Sequence, residues 1–432
     1  MIQRELFGDS YVDQYARHGY GFAVPRLLDV TFRNGLQEPV HRWFRLTPSY
    51  APELVRHLIE HLECSPTTSL CDPFLGKGTT LIETKRLGIP SLGVEINPLL
   101  KLVSEYSLSW ELSAAEIDTR PSELLIDANT QIERFSSHSL DQYLHASDAT
   151  VPPIHNVFRW WRKEVLRDLL ILKSSVMAIP DSAWRGLAWV ALASTVLDCA
   201  NIHRNHPTIT FDDYNHRKIH PYIEFAAKVR QVQADLAIVS EGSSHAPATV
   251  LQGDSTQLSS LLHAPIDRVI TSPPYPNRFS YVHTTRPQLF FLDLVHTATE
   301  ATEIDLLSIG GTWGKATSNL QKRDVLPFPE IEPILADTIR PLRKAHPLLC
   351  NYAVLYFNMM YRHISELALV ASPTFRCGYV VGNSRLAGVE VPTDVLLARM
   401  FELQRFRVDE ILVLRKRGGK KKLYETVVCA SR

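Results

Sequence analysis

Ser69-Leu-Cys-Asp72-Pro-Phe-Leu-Gly76-Lys-Gly78-Thr-Thr80 is the stretch that decides the fold. Ser69 to Asp72 reads as a short buried strand, and the proline and two glycines that follow read as a tight loop. Thr79 to Leu87 resumes helical spacing, Gly88 is placed to stop it, and Ser91 to Glu95 is a second strand. Strand, glycine loop, helix and strand in that order predict parallel pairing, an α/β sheet of the doubly wound type.

The pattern extends in both directions. Upstream, a helix is signalled from Thr47-Pro48, with Leu54, Val55, Leu58, Ile59 and Leu62 on one face. Residues 1–45 have weak periodicity and read as an arm. Downstream, 46–110 form the first part of the sheet domain, 111–248 a helical insertion, and 249–432 the second part. Within the insertion, Phe158, Trp161, Val165, Leu169 and Leu172 predict one amphipathic helix with Arg159, Lys163 and Arg167 along another face. Trp184 to Ala200 is apolar on nearly every side, and Pro221 to Ile238 offers a further helix. Strands resume at 249–252, 266–271, 377–381, 408–414 and 423–429. Helices are expected near Pro287, over Asn351 to Val370 and over Thr393 to Phe406. The Gly418-Gly419 turn makes the last two strands antiparallel. The expectation is therefore a seven-stranded Rossmann-like sheet with a terminal hairpin.

The 432 residues carry 46 Lys plus Arg against 46 Asp plus Glu, which excludes a uniformly basic nucleic-acid coat or a strongly acidic solvating chain. At 45% apolar and 21% charged, the composition is that of a globular chain rather than a disordered one. Six scattered cysteines without a Cys-x-x-Cys pair argue against structural zinc or a disulfide framework, and no metal is expected. The opening residues lack the apolar core of a signal peptide, and Gly186 to Leu197 is too short to span a bilayer. A cytoplasmic, reducing setting with no membrane association follows.

Three ligands compete for the glycine loop. A dinucleotide fingerprint needs a third glycine where Leu81 stands, and no frame satisfies a phosphate-binding P-loop. The remaining candidate is S-adenosylmethionine, which needs only a close turn beneath its amino-acid portion. Glu95, ending the second strand, can accept hydrogen bonds from ribose hydroxyls, and Asp254, ending the third, can take an adenine amino group. The candidate cofactor set is Asp72, Pro73, Phe74, Gly76, Gly78, Thr79, Thr80, Glu95, Asn97, Asp254 and Ser255.

Ser272-Pro273-Pro274-Tyr275 follows an apolar strand directly. Two prolines fix their own φ and remove two donors, so carbonyls here lack local partners. A hydroxyl, a free carbonyl and an aromatic face together suit an exocyclic amino group on a flat base. Ser272 and the Pro273 carbonyl would accept its hydrogens and Tyr275 would stack on the ring, so positioning should dominate catalysis.

These motifs resemble the amino-group DNA methyltransferases, and among them the N4-cytosine branch. The resemblance rests on Asp72-Pro-Phe-Leu-Gly-Lys-Gly-Thr-Thr80, Gly93-Val-Glu-Ile-Asn-Pro98, Thr271-Ser-Pro-Pro-Tyr275 and Tyr379-Val-Val-Gly-Asn-Ser384. It covers roughly 46–110 and 249–432. It implies methyl transfer from S-adenosylmethionine to a flipped cytosine in double-stranded DNA, beside a cognate restriction endonuclease, in a nucleoid-associated prokaryotic protein. Ser272 in place of Asp or Asn favours cytosine N4 over adenine N6. Adenine in DNA and an exocyclic amino group in RNA stay open as substrates. A relict fold that only binds nucleic acid is opposed by the intact loop and turn. Such enzymes usually read their target elsewhere, so the 111–248 insertion is the candidate reader only by elimination. Candidate DNA contacts are Arg159, Lys163, Arg167 and Arg204 in the insertion, Asn277 and Arg278 after the catalytic turn, and Arg415 and Lys420 at the hairpin tip. Gly310 to Gly314 reads as a hinged loop that could close over the site.

Overall fold

The protein, seen in a computed structural model, is described over residues 9–23, 25, 35–47, 49–203, 209–212, 218–241, 246–312, 315–322, 324–417 and 423–432. The strands are β1 (Phe22–Ala23), β2 (Leu70–Asp72), β3 (Ser91–Glu95), β4 (Ala248–Gln252), β5 (Ile266–Thr271), β6 (Ala371–Gly382), β7 (Ser384–Leu386), β8 (Val389–Val391), β9 (Arg407–Arg417) and β10 (Leu423–Ser431). Among the described residues, eight of them form one sheet in the order β1-β9-β10-β6-β5-β2-β3-β4, and β7 and β8 form a separate ribbon.

Strands β4, β3, β2, β5 and β6 run parallel, and β10 is antiparallel to both β6 and β9. The seven foreseen strands are all present, with β10 inserted between β6 and β9. The eighth is β1, whose Phe22 and Ala23 pair with Ile411 and Leu412. Two residues carry no readable alternation, so the arm gave no strand signal. Chain order reverses about β2, with β3 on one side and β5 on the other. That opens a crevice at the carboxyl ends of β2 and β5.

Successive residues of the central strands are apolar because both sheet faces are covered. Val269 and Ile270 are both wholly buried, yet they belong to opposite layers, as do Val427 and Val428. One layer contains the helix Pro52–His61 and the other the helices Pro347–Val370 and Thr393–Leu403. The first of these starts at Pro52, not Thr47, because Ala51 is held extended (φ −75, ψ 144) before a proline. The helix expected near Pro287 is Tyr281–Phe291: Ser280 caps it and Pro287 falls in its interior.

The insertion contains Ala114–Arg134, Leu140–His145, Val157–Trp160, Lys163–Met177, Ser182–Asp198 and Pro221–Ser240. The single amphipathic helix expected from Phe158 to Leu172 is broken at Trp161, which is extended (φ −136, ψ 135). Trp161 turns inward instead, its indole N–H donating 2.9 Å to the Val196 carbonyl, while Phe158 is left 49% exposed. Arg159 therefore sits on a different helix from Lys163 and Arg167, and the three do not form one stripe.

The insertion shares one apolar cluster with helices Thr79–Arg86, Pro98–Tyr106 and Tyr281–Phe291. Polar clasps reinforce it. Asp235, wholly buried, accepts from the Val40 backbone at 2.9 Å and the Trp43 indole at 2.8 Å and pairs with Arg42. Ser194 donates to the Trp43 carbonyl at 2.6 Å. Lys173 reaches the Phe291 carbonyl at 2.8 Å and Asp293 at 2.6 Å. The insertion thus grips both the segment that leads into the site and the helix that leaves it. No described helix is long and apolar enough to cross a membrane.

Candidate active site

A cleft lies over the carboxyl ends of β2, β3, β4 and β5. Pro73, Phe74, Gly76 and Thr79 of the glycine loop line it, as do Glu95 and Asn97 after β3, Asp254 and Ser255 after β4, and Ser272 and Pro274 after β5. Residues some two hundred positions apart thus meet in one cavity.

Asp72, Gly78 and Thr80 stand behind its wall. Asp72 is wholly buried and fully engaged: one oxygen accepts from Thr271 at 2.6 Å and the Phe74 N–H at 3.1 Å, the other from Thr80 at 2.5 Å and Tyr50 at 3.2 Å. It ties the end of β2 to the end of β5 and to the following helix. Burial pushes its carboxyl above the usual carboxylate range, and the Thr271 hydroxyl does most to oppose that. Gly78 has φ +91, and a Cβ there would sit 3.1 Å from Ser104 Cβ, so only glycine fits without strain.

Glu95 accepts the Gly76 N–H at 2.7 Å on one oxygen and the Asn97 N–H at 2.8 Å on the other. The carboxylate borders the cleft, and a carboxylate can accept further hydrogen bonds of the kind a vicinal diol donates. Burial raises its pKa to about 7, with the backbone N–H bonds from Asn97, Gly76 and Ile96 opposing and nearby Asp72 assisting. Asn97 is the N-cap of helix Pro98–Tyr106, accepting from Leu99 at 3.0 Å and donating 2.9 Å to Thr285. Asp254 uses one oxygen on the Thr256 N–H at 2.8 Å, which leaves the other for a ligand's amino group. Beneath Ser255, His363 bonds the Ser255 carbonyl at 2.9 Å and the Tyr379 hydroxyl at 2.7 Å. Leu46, Tyr50, Tyr281 and Ile309 supply further walls that the motifs did not name. Lys77 also lines the cleft, its ammonium donating 2.8 Å to the His41 carbonyl, and burial lowers its pKa to about 8. Behind it, His41, Glu38 and Glu83 come together, with Arg56 and Arg86 each pairing with both carboxylates.

The catalytic turn is held from two sides. Tyr356 donates 2.8 Å to the Pro274 carbonyl, and Tyr352 accepts the Arg278 N–H at 3.0 Å. The Pro274 carbonyl, without a local partner, thus finds a distant one, whereas nothing among the described residues donates to the carbonyl of Pro273. The tyrosines lie four apart on helix Pro347–Val370, a spacing already visible in the sequence. Tyr275 donates its hydroxyl 2.9 Å to Glu425, with the Arg417 guanidinium 5.0 Å above its ring. Asn277 and Arg278 are exposed, Arg278 in a left-handed conformation (φ 60). Leu307, Ser308 and Ile309 lie on the cleft directly before Gly310, whose φ is +77. Gly310 to Thr312 of the loop read as a hinge are described; Trp313 and Gly314 lie outside the described residues.

The candidate DNA cations are mostly engaged within the chain. Arg159 stacks 4.2 Å from the Phe211 ring, Lys163 faces Asp141 at 3.6 Å, and Arg167 binds Asp168 and the His138 carbonyl. Arg415 pairs with Glu425. Arg204 and Lys420 lie outside the described residues.

No protein-family profile matches the chain. It is 24% identical over 433 residues to the type II methyltransferase M.BsoBI of Geobacillus stearothermophilus, covering 90% of this chain and 83% of that one. It is 21% identical over 384 residues to the type II methyltransferase M.MvaI of Kocuria varians, covering 85% and 82%. A solved structure, the rRNA methyltransferase AviRa of Streptomyces viridochromogenes, aligns at a TM-score of 0.35 and 12% identity over 94% of this chain and 96% of that one. The similarity to type II methyltransferases thus runs through the insertion as well as the motif-bearing sheet.

Proposed function

We propose that this chain transfers a methyl group from S-adenosylmethionine to the exocyclic N4 amino group of a cytosine flipped out of duplex DNA. One observation carries the reading: Ser272 and Pro274 of the catalytic turn line the same cleft as the glycine loop, Glu95 and Asp254. The donor set fits the cofactor. Glu95 has lone pairs for the ribose diol, Asp254 has an oxygen for the adenine amino group, and Phe74 and Ile96 give the adenine apolar walls. The N–H groups at the start of helix Thr79–Arg86 and the turn at Gly76 and Gly78 suit the amino-acid portion. Bound S-adenosylmethionine supplies an electrophilic methyl group.

The chain's own residues supply position. Ser272 and the Pro273 carbonyl accept the two amino hydrogens of the base and aim the nitrogen lone pair into the cleft. Tyr275 stacks on the ring. The surplus N4 proton passes to water. Flipping costs a few kcal/mol, offset by these contacts. Similarity over most of the chain to proteins named type II methyltransferases supports duplex DNA as substrate and a role as the modification half of a restriction–modification pair.

The test is incorporation of labelled methyl groups into unmodified duplex DNA and, separately, into structured RNA, with Ser272→Ala as control. Label in DNA that falls on the order of a hundredfold in the variant supports the reading. Label in RNA alone would replace the substrate class.

A further inference from the structure

The terminal hairpin holds a charged assembly whose target is the catalytic turn. Arg415 on β9 lies opposite Glu425 on β10, and the register shifts between Glu425 and Thr426, a bulge that re-aims the end of the pair. Arg417, two residues further on, shares the face of Arg415. The Arg415 guanidinium bonds one Glu425 oxygen, and the Tyr275 hydroxyl bonds the other at 2.9 Å. Arg417 stands 5.0 Å over the Tyr275 ring, and its own N–H groups are fixed by the Asn383 and Tyr424 carbonyls. Gly382 on β6 makes room for it, because a Cβ at that position would collide with the guanidinium. Glu425 is only 8% exposed, so the tether is shielded from water.

We propose that Glu425, braced by Arg415 and flanked by Arg417, is a positioning residue that fixes the Tyr275 ring as the stacking platform for the target base. The assignment rests on the methyl-transfer reading of the cleft and deepens it. It gives Arg415 an inward task where the sequence suggested a grip on phosphates. A phenol held at both its hydroxyl and its face loses the freedom to rotate away when no base is present, so ordering is complete before the base arrives.

The experiment is a double-mutant cycle of Tyr275→Phe and Glu425→Leu in the full chain. Single-turnover methyl transfer, cofactor affinity and melting temperature are measured for each. A hydrogen bond to a charged group sets the scale, so each single variant should lose about tenfold to a hundredfold in rate with unchanged cofactor affinity. The double variant should lose no more than the larger single loss, and Glu425→Gln, which keeps an acceptor, should recover most of the rate. Additive losses, or wild-type rates in both single variants, would overturn the positioning role while leaving methyl transfer standing. A purely structural role would instead lower melting temperature and cofactor affinity along with rate. Arg415→Gln separates the phosphate alternative. Its DNA affinity should keep the wild-type salt dependence, and a slope smaller by about one would assign it to a phosphate and sink the proposal. Wild-type protein inactive on every nucleic acid would overturn the methyl-transfer reading itself.

Discussion

Acidification should loosen the adenosyl end of the cofactor through one side chain, Glu95. Its pKa is raised to about 7 by burial, so the free protein holds a neutral carboxyl below that value. Ribose hydroxyls donate best to the carboxylate, so binding favours the ionised form and releases a proton whenever the free carboxyl is protonated. Affinity must therefore rise with pH up to about 7 and then level. Taking the bound form as fully ionised, the free-protein fraction makes binding about 25-fold weaker at pH 5.5 than at pH 7.5. Two neighbours contribute little in that window. His363 is held down to about 4 by burial and remains neutral, and Lys77 loses its proton only near about 8. Calorimetry with 5′-methylthioadenosine, which carries no group titrating in this range, isolates the effect. Repeating the titration in buffers of different ionisation enthalpy counts the released proton directly. Glu95→Gln should bind weakly at every pH with a flat profile. A flat profile in the wild type, or tighter binding in acid, would refute the reasoning.

Other consequences are equally specific. Gly78→Ala should cost about 1–2 kcal/mol from the left-handed backbone and, because its methyl meets Ser104, also weaken cofactor binding. Gly88→Ala has the same strain (φ 72) and open space around it, so thermal melting should fall similarly while calorimetric cofactor affinity stays put. Asp235→Ala removes the common acceptor of Val40, Trp43 and Arg42 and should destabilise by about 3–5 kcal/mol in urea unfolding. Tyr356→Phe frees the Pro274 carbonyl and should slow single-turnover methyl transfer about twofold to tenfold without moving cofactor affinity.

The sheet was legible because its signals are local: a strand that stops at Asp72, a loop that needs glycine, and a helix that starts at once. The same locality made the cleft's polar ends readable, since Glu95, Asp254 and Ser272 each stand at or just past the end of a strand in a sheet whose order follows from handedness. What escaped depends on side chains arriving from far along the chain. Asp72 looks like a ligand contact in sequence, yet its four donors come from Tyr50, Phe74, Thr80 and Thr271, and it serves the scaffold. Trp161 sits at helical spacing, yet the buried slot beneath Val196 outweighs that periodicity and breaks the helix. Arg415 looks solvated in sequence because the acid that holds it is ten residues away on the partner strand. Period and propensity cannot report such pairings; Tyr352 and Tyr356, four apart on one helix face, are an instance where spacing alone could have drawn attention.

The central claim, methylation of cytosine N4 from this cleft, is tested most directly by nucleoside mass spectrometry. DNA is taken from cells making the chain and from cells making Ser272→Ala. The account predicts N4-methylcytosine with the wild type and its loss in the variant. N6-methyladenine in its place, or no modified base with folded, cofactor-binding protein present, would contradict it.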